Sequence, residues 1–223
     1  FGYGHKHSLM IELGKDELRT SLNFSYSNNV GIMKKSGREN LSGTFNLQYN
    51  YKNKLRFQNN ASFTQNKSED TPYGSFSTYA VLNPYESMYD EDGLLAVQIG
   101  DRPNPFRDGE IGTSLTSSYR QFINNTSLEW TIIEGLRLRG KLGIPVKNND
   151  ADQFYPASHS KFANYKGENA ARKGSYQVNN GKSSTLSGEL LLNWYKQFNE
   201  KHNLFINLGY NLSETISSEV INY

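Results

Sequence analysis

The sequence predicts an all-β protein: an antiparallel up-and-down transmembrane β-barrel segment of about eight strands, with short periplasmic turns and long extracellular loops. Three observations lead there. Apolar residues recur with a period of two, the signature of a strand with two unlike faces. The connections alternate short, long, short, long from end to end, which a soluble sandwich does not require and an outer-membrane barrel does. Aromatic residues collect near predicted strand ends, as in the interfacial belts of such barrels.

The first strand, residues 8–13, carries Leu9, Ile11 and Leu13 on one face, and residues 14–17 form a turn. The second, residues 18–27, sets Thr20, Leu22, Phe24 and Tyr26 against Ser21, Asn23 and Ser25. After a longer connection, residues 28–39, the third strand sets Leu41, Gly43, Phe45, Leu47 and Tyr49 against Ser42, Thr44, Asn46 and Gln48. A short turn, residues 50–54, leads to the fourth, with Leu55, Phe57, Ala61 and Phe63 against Arg56, Gln58, Asn60 and Ser62.

A very long connection, residues 66–118, precedes the fifth strand, with Phe122, Thr126, Leu128 and Trp130 on one face. A tight turn at residues 132–135 gives the sixth, with Leu136, Leu138, Leu142 and Ile144 against Arg137, Arg139 and Lys141. Residues 145–182 read as a second long loop. The seventh strand carries Leu186, Gly188, Leu190, Leu192 and Trp194. A turn at residues 198–202 leads to the eighth, with Leu204, Ile206, Leu208, Tyr210 and Leu212. Tyr49, Trp130 and Trp194 precede short turns, and Tyr26, Phe63 and Tyr210 read as the opposite belt.

Composition agrees with strands that are wet on one side. Only 35% of the 223 residues are hydrophobic, yet 15 Tyr, 12 Phe and 19 Gly are present. The mean hydropathy is −0.72. Disordered chains share the polarity but lack the aromatics. The net charge of +2 gives no reason to expect a nucleic-acid partner. Without cysteine there is no disulfide, thiolate metal site or Cys nucleophile. No run of 18 apolar residues forms a membrane helix, and the first residues do not read as a signal peptide.

Few motifs carry chemistry. No catalytic triad, phosphate loop or zinc-protease signature is found, so no catalytic residue and no enzyme activity are expected. His5 and His7 form an H-x-H pair, which could bind a metal but reads better as solvated rim residues. Asp90-Glu91-Asp92-Gly93 opens like a calcium loop, but Leu94, Leu95, Ala96 and Val97 follow in place of oxygen ligands. A plain Asp-Gly turn is the preferred reading, so no metal and no cofactor are expected. Arg56, Arg137, Arg139 and Lys141 would make a positive patch in a lumen, or pair with Glu129 or with a domain packed inside.

The stretch "PYGSFSTYAVLNPYESMYDEDGLL", residues 72–95, resembles a segment of SusC/RagA-like TonB-dependent outer-membrane transporters of Bacteroidetes. Residues 1–9, residues 28–47 and residues 122–136 resemble further family segments in the same order. The resemblance implies a large barrel filled by a plug and capped by a SusD-like surface lipoprotein. It also implies energy from TonB, outer-membrane lipid around the wall, and uptake of oligosaccharides or peptides. No plug domain and no TonB box match along the chain, so residues 1–223 are expected to form an internal piece of barrel wall in the bacterial outer membrane. Tyr73, Phe76, Tyr79, Tyr85 and Tyr89 are the candidate substrate or lid contacts. The rival readings are a self-contained small outer-membrane barrel with an adhesive or structural role, and a soluble lectin-like β domain.

Overall fold

The computed structural model describes residues 2–199 and 202–223. Four strands come first: β1 (Gly4–Lys15), β2 (Leu18–Val30), β3 (Gly37–Tyr51) and β4 (Leu55–Glu69). The chain then leaves the sheet through residues 70–113. These hold α1 (Phe76–Ala80), the two-residue strands β5 (Gln98–Ile99) and β6 (Arg102–Pro103), and α2 (Pro105–Glu110). It returns as β7 (Ser114–Ile133), β8 (Leu136–Tyr155), β9 (Ser175–Phe198) and β10 (His202–Asn222). Two 3-10 turns, Ser160–Phe162 and Gly167–Arg172, lie between β8 and β9.

The large sheet is an antiparallel meander in the order β1-β2-β3-β4-β7-β8-β9-β10. All eight expected strands are present. Lys15 pairs with Leu18, Leu18 with Tyr49, Tyr51 with Leu55, Leu55 with Trp130, and Leu136 with Trp194, so the short turns share one edge. Val30 pairs with Gly37, Glu69 with Thr116, and Tyr155 with Ser175, so the long loops share the other. Of the turn expected at residues 198–202, residues 200 and 201 lie outside the described residues.

The turns are built from residues that tolerate a left-handed backbone. Asp16 (φ 42°) and Asn53 (φ 53°) take it in the first two. In the third, Gly135 has φ 80°, and its carbonyl accepts from Tyr195 N–H at 2.7 Å. A Cβ there would lie 2.2 Å from the Tyr195 carbonyl oxygen, so a side chain is excluded twice over.

Both faces follow the predicted alternation. One ladder row on the polar face runs Ser21, Asn46, Asn60, Asn125, Gly143, Ser187, Ser213. Asn46 donates to Ser21 Oγ at 3.0 Å, and Asn60 donates to Asn46. This face is concave: all eight strands contribute to a trough of about 1200 Å³. The convex face is apolar, and large side chains stand bare on it: Leu13 is 66% exposed, Trp130 47%, Leu190 54% and Leu208 61%. No helix or second sheet covers them among the described residues.

Several expectations are corrected. The strands run further toward the loop edge than alternation shows. The loop expected over residues 145–182 shrinks to residues 156–174, and the one over residues 66–118 to residues 70–113. Alternation fades there because both faces become polar, while the backbone ladder continues. Pro145 also hides the extension of β8. It has no N–H, and pairing to β9 passes from Gly143–Ser187 to Val146–Ser184 around it. The apolar face is not wholly apolar. Asn59 donates to Asn124 Oδ1 (3.2 Å) and Thr126 Oγ1 (2.8 Å), and Thr126 donates to Asn124 Oδ1 (3.0 Å), so these three polar side chains satisfy one another. Finally, β1 and β10 do not pair with each other among the described residues, so the sheet stays open and no eight-stranded closed barrel forms.

Candidate functional site

The packed core of the chain lies off the sheet. Tyr73, Ile99, Asn104, Asp108, Thr113 and Phe162 are buried, and all belong to the loops over residues 70–113 and 156–174. A loop rigid enough to present side chains to a ligand needs such a core.

The core is organised by α2. Asn104 caps it, Oδ1 accepting from the N–H groups of Phe106 (3.1 Å) and Arg107 (3.4 Å). Its Nδ2 donates to the carbonyls of Met88 (2.9 Å) and Ala96 (2.8 Å). Asn104 is fully buried, and these four bonds replace the water it has lost. Pro105 occupies the first helical position, where no N–H is needed.

Contacts in three directions tie α2 to its surroundings. Toward residues 31–36, Lys35 Nζ donates to the Gly109 carbonyl at 2.7 Å and lies 3.6 Å from Glu110 Oε2. Within its own loop, the Tyr73 ring lies so close to Gly109 that a Cβ on the glycine would fall 2.2 Å from Cδ1. The Tyr73 hydroxyl donates to Glu110 Oε1. Toward residues 156–174, Arg107 Nη1 donates to the Ser158 carbonyl at 2.5 Å, and the Asp108 carboxylate accepts from Ser160.

Protonation follows this packing. Burial, aided by the hydrogen bond to Glu110, raises the Tyr73 phenol to about 12. The same bond, helped by Lys35, holds Glu110 below its ordinary value. Burial also raises Tyr79, whose ring meets Phe106 edge-on at 5.1 Å.

The five aromatic candidates therefore divide. Tyr73 is 5% exposed and anchors the loop. Tyr79 is half-buried against Phe106. Phe76, Tyr85 and Tyr89 are 77%, 94% and 53% exposed, with Val81 and Leu94 also bare beside them in sequence. The Asp90 turn closes on itself: Oδ1 accepts from the N–H groups of Asp92 (3.0 Å) and Leu94 (2.9 Å), and Tyr89 bridges to Leu95. The His5 and His7 rings lie 5.4 Å apart, tilted to each other, with Tyr26 alongside His5.

On the concave wall, Arg139 donates twice to Glu129 Oε2 (3.0 and 2.5 Å), and Arg137 lies 3.8 Å from Oε1. Arg56 faces Glu129 across the ladder, and Lys141 pairs with Glu189 at 3.1 Å. Pairing with Glu129, one of the expected fates of this patch, is what the structure shows.

Sequence reasoning missed Asn104, Asp108 and Ser160, which hold the loops together. A signal existed for the first: Asn followed by Pro is a helix-start pattern. None existed for Asp108 and Ser160, which meet only in the folded loops.

No protein-family model matches the chain, and no curated protein matches it in sequence. Solved structures do match. One described as the RagAB peptide transporter superposes with a TM-score of 0.70 at 15% identity, over 98% of this chain and 25% of that one. A second, of the RagAB peptide importer in its "open-open" state, gives 0.68 at 16% identity, over 98% and 25%. The ferripyoverdine receptor of the outer membrane of Pseudomonas aeruginosa gives 0.56 at 14% identity, over 98% and 27%. The likeness is one of fold: this chain spans about a quarter of these structures and has the architecture of their barrel wall.

Proposed function

We propose that this chain, which has the wall fold of outer-membrane TonB-dependent receptors, supplies barrel wall and extracellular loops to an importer in a bacterial outer membrane. One observation carries the reading: the convex face bears exposed Leu, Phe and Trp side chains with nothing packed on them among the described residues, while the concave face is Asn- and Ser-rich. In water such a face would drive aggregation; in hydrocarbon it is solvated. A paired ladder satisfies the backbone, and β1 and β10 would continue it into further strands of the same wall, since bare edges in lipid leave N–H and C=O groups unsatisfied.

The imported solute is an oligosaccharide or a peptide, held by polar donors and acceptors on the concave face. A SusD-like surface lipoprotein caps the loop edge, and the exposed Phe76, Tyr85 and Tyr89 are its contacts or the solute's. TonB drives passage through a plug. The organism class is Bacteroidetes, by the resemblance of residues 72–95. The chain binds and passes its solute without chemistry.

The reading is tested by fractionating cells that express the polypeptide carrying this chain. It should band with the outer membrane and need detergent for extraction, and a surface lipoprotein should copurify. Uptake of labelled oligosaccharides and peptides, with and without the gene, then decides the solute. A polypeptide that stays soluble without detergent overturns the proposal.

A further inference from the structure

His159 occupies the joint between the two long loops. It precedes the turn Ser160–Phe162, and its Nδ1 accepts the Lys161 N–H at 3.0 Å. A ring nitrogen that accepts an N–H carries no proton, so this geometry requires neutral imidazole with its hydrogen on Nε2. The next residue, Ser160, makes both contacts to Asp108: its N–H donates to Oδ1 at 2.9 Å and its hydroxyl to Oδ2. The bond that shapes the turn and the bonds that fasten it to α2 therefore sit on adjacent residues.

We propose that His159 is a proton-operated latch between the loops over residues 70–113 and 156–174. Neutral, it caps the turn and presents Ser160 to Asp108. Protonated, it has a donor where an acceptor is needed, and the turn releases.

The surroundings favour release over a new ion pair. The His159 side chain is 12% exposed, and its ring meets Tyr155 edge-on at 5.0 Å. Arg107 and Asp108 face it from α2 and Lys161 from its own turn, with the Lys161 ammonium 4.2 Å over the Tyr155 ring. Asp108 would welcome a charged ring, but its nearest oxygen is 3.9 Å from Nδ1 and both its oxygens already accept from Ser160. Burial first, then Lys161 and Arg107, oppose the charge and hold His159 below its ordinary value of 6.5. The released loop, with an ordinary histidine, then binds more protons than the docked one. Docking weakens as pH falls through about 6.5 and stops changing once the docked ring also titrates. This rests on the packing between the loops and not on the membrane reading.

Hydrogen exchange on the detergent-purified polypeptide that carries this chain tests it, at about pH 7.5 and about pH 5.5 with intrinsic rates corrected. Protection in residues 105–113 and 158–163 should fall about three- to tenfold at the lower pH, while the β7–β8 ladder is unchanged. His159→Asn keeps a capping oxygen without a titrating group, and should abolish the pH effect. Direct titration of the His159 ring by NMR should give a value below 6.5 and supports the latch even if the variant docks poorly. Equal protection at both pH values, tighter docking at the lower one, an effect that survives in His159→Asn, or a ring value at or above 6.5 would overturn it.

Discussion

The Asp108 carboxylate accepts from both the backbone N–H and the side-chain hydroxyl of Ser160, a residue 52 positions further along the chain. One short helix thereby fastens the loop after β8 to the loop after β4. The first loop enters β7, the sheet neighbour of β8, which the second loop leaves, so this contact determines not where the loops are but whether they are one body. Replacing Asp108 with Ala leaves the half-buried Ser160 groups without their acceptor, at a cost of about 1–3 kcal/mol. Proteolysis of residues 156–174 should accelerate in Asp108→Ala while the strands stay resistant; unchanged cleavage would show that the loops dock by other means.

Gly109 is where the backbone of α2 meets the Tyr73 ring. A methyl group there would fall 2.2 Å from a ring carbon, and a buried ring has nowhere to rotate. Gly109→Ala should lower loop stability by about 1–3 kcal/mol, as overpacking does, despite alanine's better helix propensity. Paired with Tyr73→Leu it should cost less than the two changes summed. A fully additive double variant would place the strain elsewhere.

The Tyr73–Glu110 pair sets limits at both ends of the pH scale. Tyr73 keeps its proton to about 12 when docked but ionises near 10.0 when released. Released loop therefore holds fewer protons between those values, and docking weakens as pH rises through that window. Glu110 works in the other direction. Its docked value is lowered, so its contribution is present above about 4.5 and fades as pH falls through the docked value. Tyrosinate absorbance should show a late-ionising phenol that disappears in Tyr73→Phe. If the titration of Tyr73→Phe matches wild type apart from one ordinary tyrosine, the buried hydrogen bond is absent in solution.

Leu142 and Asn125 lie in adjacent ladder rows on opposite faces, the first convex and apolar, the second concave and polar. In the proposed membrane setting, Leu142→Arg puts a charge into hydrocarbon at about 2–4 kcal/mol, and Asn125→Arg puts one into a wet lumen at little cost. Outer-membrane yield and heat-modifiable gel mobility should drop for the first and hold for the second. Equal behaviour would mean that the two faces meet the same solvent.

Much of the fold is legible in the chain because a sheet with two different solvents writes its register into the sequence. Leu128 beside Ser127 and Leu190 beside Glu189 are enough to assign faces, and a one-residue slip would exchange them all. Legibility fails where that contrast fails. Beyond Pro145, β8 runs on through Lys147, Asn148, Asn149 and Asp150, which look like a loop because neither face there is apolar. The loop core was partly visible. Asp90 and Gly93 announce their turn, and the density of rings over residues 73–89 announces order. Nothing local separates Tyr73, an anchor, from Tyr85, which stands free. Both are tyrosines beside turn residues, and only the arrival of Gly109 and Glu110 buries one of them.

By itself, then, the sequence determined the strand faces, the alternation of short and long connections and the order of pairing, all set by side-chain period and turn chemistry over short stretches. Only the tertiary structure decided that α2 gathers Lys35, Tyr73 and Ser160 from three segments, which aromatics remain exposed, and that the sheet stays open. Those outcomes depend on groups far apart in the chain sharing one desolvated space, where an amide or carboxylate must find its partner or pay the full cost of losing water.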